Sequence, residues 1–234
     1  AEAAHCPVLV ILADVPSFGY RPRDIRNGLS MPPKMTVSNI LSAMKRPHWA
    51  LNTLINGQPS FEILKPYMQK NLNLNQLAKF MDATFSGRLN EDKIKRIRDL
   101  WKGKLVLKGA ESIDDVEIAY RLGLDGVIIS NHGGRQVDVG QATIDSLKSI
   151  APIYKNKLKI MMDSGIRGGA DVARVMAHGA DFTFMGRTFM YGVSALGKQG
   201  GNHTIAMLKA QLNQVMEQLS CADVYDLKDK LVKS

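Results

Sequence analysis

The chain has 234 residues, enough for one sizeable core, with 45% hydrophobic and 23% charged residues. That composition excludes disorder, a collagen-like repeat and a disulfide scaffold, and with only Cys6 and Cys221 a reducing compartment is the default. The net charge of +9 favours anionic surfaces or substrates. The basic residues are spread out, with no nucleic-acid motif beside them, so nucleic acid is not an expected partner.

The sequence opens Ala-Glu-Ala-Ala-His-Cys-Pro, which reads as the tail of a helix, and enters VLVILAD (8–14). Four more runs share that design: KLVLKG (104–109), DGVIISNH (125–132), KIMMDSG (159–165) and DFTFMGR (181–187). Near-continuous hydrophobic runs of this length predict strands buried on both faces, as in parallel sheets. Between the first two lies a long excursion over 15–90. It holds a Pro/Gly-bearing stretch (15–34) and expected helices near 36–45 and 73–82. A helix over 91–101 (EDKIKRIRDLW) leads back. Loops this long are usually functional.

From residue 112 the pattern alternates. Ser112-Ile113-Asp114-Asp115 has the form of a capping box, and helices are expected over 141–150, 168–178 and 202–219. Lys108, His132, Asp163 and Arg187 follow one another at 24, 31 and 24 residues. This β-α alternation predicts a parallel α/β fold in one domain spanning 1–234, with 15–90 as an inserted loop region. No apolar run approaches the ~18 residues of a membrane span, and no secretory signal is evident.

Each apolar run ends in a chemically useful residue: Asp14, Lys108, Ser130 with His132, Asp163, and Arg187. One such end would be an ordinary cap or solvated loop. Five in a row suggest the C-terminal mouth of a (β/α)₈ barrel, where active sites lie. Gly133 and Gly134 let the backbone approach a flat ligand. An arginine, Arg135, beside a histidine base suggests a carboxylate substrate between them. Gly186 with Arg187, and the DSGIRGG turn with Arg167, suggest a phosphate-bearing cofactor.

SNHGGRQ followed by Val-Asp is similar to the signature of the FMN-dependent L-2-hydroxy acid oxidases and dehydrogenases. LVLKG, MMDSGIRGG and FMGRTFMYG resemble the flanking motifs of that family, in order. DIRNGLSMPPK and MKRPHWAL most resemble the bacterial quinone-linked L-lactate dehydrogenases, while MDATFS and RDLW also resemble the mandelate dehydrogenase branch. The resemblance implies a TIM barrel of which this chain holds strands four to eight, the edges at strands four and eight being open. It implies FMN as cofactor and oxidation of L-lactate to pyruvate, with a quinone or other electron acceptor. His132 would take the proton of the substrate's 2-hydroxyl, with Asp14 behind it. Arg135 and Arg21 would clamp the small 2-hydroxy carboxylate. Lys108 would lie near flavin N1 and O2, Ser130 at the ring edge, and Asp163 at the ribityl chain. Arg167, Gly186 and Arg187 would hold the phosphate.

Leu12 stands where the family usually has a flavin-contacting threonine. The family's N-terminal portion, with a substrate-binding tyrosine, is not in this sequence, so a fragment of a longer enzyme is expected. Mandelate- or glycolate-type substrates are an alternative, as is an inactive remnant serving only as a folding or interaction module. Aromatic residues among lysines in the excursion, with the net charge, leave open a peripheral place on the inner face of the cell membrane beside a plain cytoplasmic one. Family members often form homo-oligomers.

Overall fold

The computed structural model describes residues 1–17, 21–28, 36–57, 66, 76, 80 and 88–232. In chain order the first elements are β1 (Val8–Leu12), α1 (Pro22–Arg26), α2 (Val37–Met44), α3 (Pro47–Asn56) and α4 (Glu91–Leu100). Then come β2 (Lys104–Ala110), α5 (Ile113–Arg121), β3 (Gly126–Ile129), α6 (Thr143–Tyr154), β4 (Lys159–Met162) and α7 (Gly169–Ala177). β5 (Phe182–Thr183), α8 (Arg187–Leu196) and α9 (Gly200–Gln218) follow. The chain divides into two compact units, one of Ala1–Pro16 with Arg88–Ser234, the other Ser17–Gly87.

The first unit is built on a five-stranded sheet in the order β1-β2-β3-β4-β5, all parallel. The alternation of side chains along each strand sorts the sheet into two faces. Leu105, Leu107, Val127, Ile129 and Ile160 point to the helices and are buried with Val116, Ala119, Leu147 and Ile150. Burying each of these aliphatic side chains is worth about 1.5–3 kcal/mol, which makes this layer the main source of stability. The register Leu12↔Lys108↔Ile128↔Met161 lies on the opposite, inner face. There Val106 and Ile128 are buried, but Val8, Val10 and Leu12 on β1 remain 43–45% exposed and Phe182 on β5 57%. Among the described residues those two strands have one neighbour each.

Asp125 closes the N-terminal end of the sheet. Its carboxylate accepts from Lys104 Nζ (2.7 Å), the Leu105 amide (2.9 Å) and Arg98 Nη1 (3.2 Å). Burial opposes its charge, but these donors hold its carboxyl below the usual range. The Ser112 capping box forms as expected, with the Ser112 hydroxyl accepting from Asp115 N and the Asp115 carboxylate accepting from Ser112 N.

Three local expectations shift. The strands are shorter than the apolar runs, so Asp14, Ser130, His132 and Asp163 lie just beyond strand ends, while Lys108 sits inside β2. The last run splits, with only Phe182–Thr183 paired and Arg187 opening α8. The apolar run DFTFMGR reads on without a break into the start of that helix. Trp101 ends α4 as its C-cap instead of belonging to it. The helix expected near 73–82 falls outside the described residues, apart from 76 and 80.

In the second unit, α2 begins at Thr36, whose hydroxyl accepts from Asn39 N at 3.2 Å. α3 begins with Pro47 at its first turn, where the missing N–H costs nothing. Neither helix has a buried residue.

Candidate functional site

The polar residues at the C-terminal end of the sheet form one connected cluster. Lys108 Nζ donates to Asp14 Oδ2 (2.7 Å) and Ser130 Oγ (2.7 Å), and stands 3.2 Å from Asp163 Oδ2. Three contacts use all three of its protons. Ser130 is fully buried; its hydroxyl donates to Asp14 Oδ2 (3.2 Å) and accepts from His132 N (3.1 Å) as well as from Lys108. Its one proton and two lone pairs are therefore spent within the protein.

Asp14 is held close by Gly109, whose φ of +98° lets the chain turn without a side chain. A Cβ there would meet Asp14 Cβ at 2.5 Å. The Asp14 side chain is 5% exposed, and its Oδ1 stands 3.3 Å from His132 Nδ1. That is charge-pairing range but off the line of a hydrogen bond. Among the described residues neither buried atom has another hydrogen-bond partner. A proton on Nδ1 would serve both, leaving Nε2 as the ring nitrogen available to a ligand.

His132, Gly133 and Gly134 are all left-handed, with φ of 54°, 68° and 69°. Gly133 N donates to Ser164 Oγ (3.0 Å), and Gly134 N to Asn131 Oδ1 (3.1 Å). Arg187 Nη2 donates to Gly133 O at 2.6 Å. Ser164, itself at φ 72°, donates to Asp163 Oδ1 at 2.7 Å. Ser164 and Asn131 escaped the sequence reading because a lone serine or asparagine after a strand looks like any turn residue.

A cavity of about 470 Å³ opens over this cluster. It is lined by Lys108, His132, Arg135, Asp163, Arg167, Gly186 and Arg187, seven of the ten residues singled out in the sequence. Asp14 and Ser130 lie behind it, buried. Arg21 belongs to the second unit, just before α1. Gly165 and Gly186 line the cavity facing open space. Gly186 also starts α8, whose N-terminus carries no side-chain cap. An uncapped helix N-terminus with Arg187 and Arg167 in the same cavity suits an anion such as a phosphate. On that donor set the residues fit FMN. Just after β2, burial, then the charges of Asp115 and Asp14, push the Glu111 carboxyl up. Leu12, in the family's threonine position, is the last residue of β1 and faces inward, half-exposed.

The chain is similar to several known proteins. L-lactate dehydrogenase of Haemophilus influenzae (strain 86-028NP) is 35% identical over 229 residues, covering 97% of this chain and 60% of that protein. L-lactate dehydrogenase of Vibrio parahaemolyticus is 36% identical over 235 residues, covering 100% and 62%. Among solved structures, the monotopic membrane protein (S)-mandelate dehydrogenase superposes with a TM-score of 0.88 at 31% identity, covering 97% of this chain and 60% of that one. A mandelate oxidase gives a TM-score of 0.71 at 25% identity, covering 98% of this chain and 56% of that one. The chain thus spans about three fifths of the length of the curated relatives it matches. The sheet is the α/β core of a TIM-barrel family in part, and the sequence pattern of FMN-dependent dehydrogenases matches residues 1–234. The chain belongs to the FMN-dependent dehydrogenase family.

Proposed function

We propose that the protein oxidises an L-2-hydroxy acid with FMN, L-lactate to pyruvate first among them, and passes the electrons to a quinone-type acceptor. One observation carries the reading: His132 Nδ1 faces the buried Asp14 Oδ1 at 3.3 Å, while His132 and Arg135 line the same cavity. FMN, when bound, supplies the two-electron acceptor for the hydrogen on substrate C2. His132 Nε2 takes the proton of the 2-hydroxyl, and the Asp14 carboxylate stabilises the imidazolium that results. Arg135 holds the substrate carboxylate with its planar fork, and Arg21 is the proposed second clamp. Lys108 would supply a positive charge beside the flavin ring. Asp163 would meet the ribityl chain, and Arg167, Gly186 and Arg187 would hold the phosphate. The identity of the curated relatives favours lactate over mandelate or glycolate.

A flavin titration of the 234-residue chain, followed by anaerobic L-lactate, tests this. Binding and then bleaching of the flavin band, lost in His132→Ala, is the expected result. Bleaching by (S)-mandelate or glycolate alone would move the substrate. Flavin bound without bleaching by any of the three would sink the catalytic reading.

We further propose peripheral attachment to the inner face of the cell membrane through α2 and α3. Trp49 (61%), Leu54 (79%) and Ile55 (78%) are exposed there. No Asp or Glu occurs between Asp24 and Glu62, while Arg26, Lys34, Lys45 and Arg46 do. An apolar surface flanked only by cations suits an anionic leaflet. Among the described residues no helix is long and apolar enough to cross a membrane. Co-sedimentation with phosphatidylglycerol vesicles, but not phosphatidylcholine vesicles, should be lost in Leu54→Asp. Unchanged partitioning of that variant would exclude these helices as the contact.

A further inference from the structure

We propose that Ser164 is the positioning residue of the site, its hydroxyl fixing the left-handed turn that carries His132. The proposal rests on the reading of His132 as the base. Among the described residues four that are not glycine have positive φ: His5, His132, Ser164 and Ser220. Two of the four, His132 and Ser164, line the same cavity, and a hydrogen bond joins Ser164 to Gly133, the residue after His132. A left-handed non-glycine residue is strained and persists only where its surroundings over-determine it.

The amides of His132, Gly133 and Gly134 each meet a side-chain oxygen, and that of Gly134 also donates to Asn131 O at 3.0 Å. Ser130 takes the first and Asn131 the third, at 3.1 Å each. Ser130 ties its end of the turn to Lys108 and Asp14, and Asn131 donates to Gln141 O, so neither reaches β4. The middle amide, that of Gly133, goes to Ser164 at the end of β4.

Ser164 also closes a ring of contacts. Its proton goes to Asp163 Oδ1 (2.7 Å), and Asp163 Oδ2 meets Lys108 (3.2 Å). Lys108 meets Asp14 (2.7 Å), and Asp14 faces the His132 ring (3.3 Å). The imidazole is thereby fixed from both ends, through its ring by Asp14 and through its backbone by Ser164. Removing the hydroxyl opens the ring at the backbone end and frees Asp163 to rotate. The histidine then has room to move by about an ångström, a misplacement that can cost on the order of 100-fold in rate.

Two variants separate the hydroxyl from the strain. Ser164→Ala removes the hydroxyl and keeps the left-handed penalty. Ser164→Gly removes both and should therefore retain the fold. On the ligand-free chain, amide exchange at Gly133 should rise about 10-fold or more in both variants, and the His132 Nδ1 proton resonance should broaden or vanish. With FMN bound, flavin reduction by L-lactate should slow roughly 10–100-fold in both, with the half-saturating lactate concentration unchanged. Wild-type protection of Gly133 in either variant, or a wild-type reduction rate in Ser164→Gly, overturns the proposal. If the parent chain is not reduced by L-lactate, the functional reading fails by itself. The two ligand-free measurements then decide Ser164 alone: loss of both signals supports it, retention refutes it.

Discussion

Replacing Gly109 by alanine should cost far more than the one methyl group suggests. Two terms add. Gly109 has φ +98°, a conformation that L side chains rarely adopt, which costs about 1–2 kcal/mol. The new Cβ would also stand 2.5 Å from Asp14 Cβ, 2.8 Å from Asp14 N and 2.9 Å from Asp14 Cγ. One of those atoms is backbone and the others belong to a carboxylate held at 2.7 Å by Lys108, so nothing yields cheaply. Overpacking of this kind costs about 1–3 kcal/mol, which brings the total to roughly 2–5 kcal/mol. Gly123→Ala is the control, since Gly123 has φ +72° and nothing within 4 Å. Urea unfolding of both variants should show Gly109→Ala the less stable by about 1–3 kcal/mol at equal m-values. Equal midpoints would refute the close packing of β2 on Asp14, and with it the account of how Asp14 is held against His132.

Lys108→Met should destabilise by about 3–5 kcal/mol, because it strands Asp14 and Asp163 without their shared cation. Adding Asp14→Asn should recover part of that loss in a double-mutant cycle, and strict additivity would disprove the coupling. Glu111→Gln should stabilise at neutral pH. The raised carboxyl binds its proton more tightly in the folded chain, so stability falls as pH climbs from the unfolded value, about 4.3, through the folded one. Melting at pH 7 should favour the glutamine variant and melting below about pH 4 should not; a gain of equal size at both would contradict the charge argument.

Much of this site could be read from the chain because a parallel strand marks its own active end. VLVILAD and KLVLKG end in polar residues that hydrophobic burial cannot explain, and both ends reach the cluster. The helix after Ser112 was legible from its capping box, and that at 169–177 from its place in the β-α alternation. What stayed hidden depends on position in space. Ser164 matters only because β4 ends beside the turn that follows β3, a proximity that no local pattern encodes. Arg187 carries the family's phosphate signal, yet it also donates to Gly133 O, a contact 54 residues away in sequence. α3 was not among the expected helices, although proline suits the first turn of a helix.

The inner face of the sheet bears on how tightly a flavin can be held. Pockets usually bury most of a ligand, with apolar walls on several sides. Here the cavity has its charged floor, while Val8, Val10 and Leu12 leave the neighbouring sheet face half-open. Affinity should therefore come mainly from the phosphate end. Arg187 uses one N–H on Gly133 O, which leaves guanidinium donors for an anion, and the N-terminal amides of α8 have no side-chain cap. Two charge-assisted hydrogen bonds at about 1.5–3 kcal/mol each favour FMN over riboflavin by roughly 10²–10⁴-fold. Parallel fluorescence titrations would measure the gap, and Arg187→Met should narrow it by at least about 10-fold. Equal affinity for the two flavins, or a gap that Arg187→Met leaves intact, would mean that the phosphate does not sit at the start of α8.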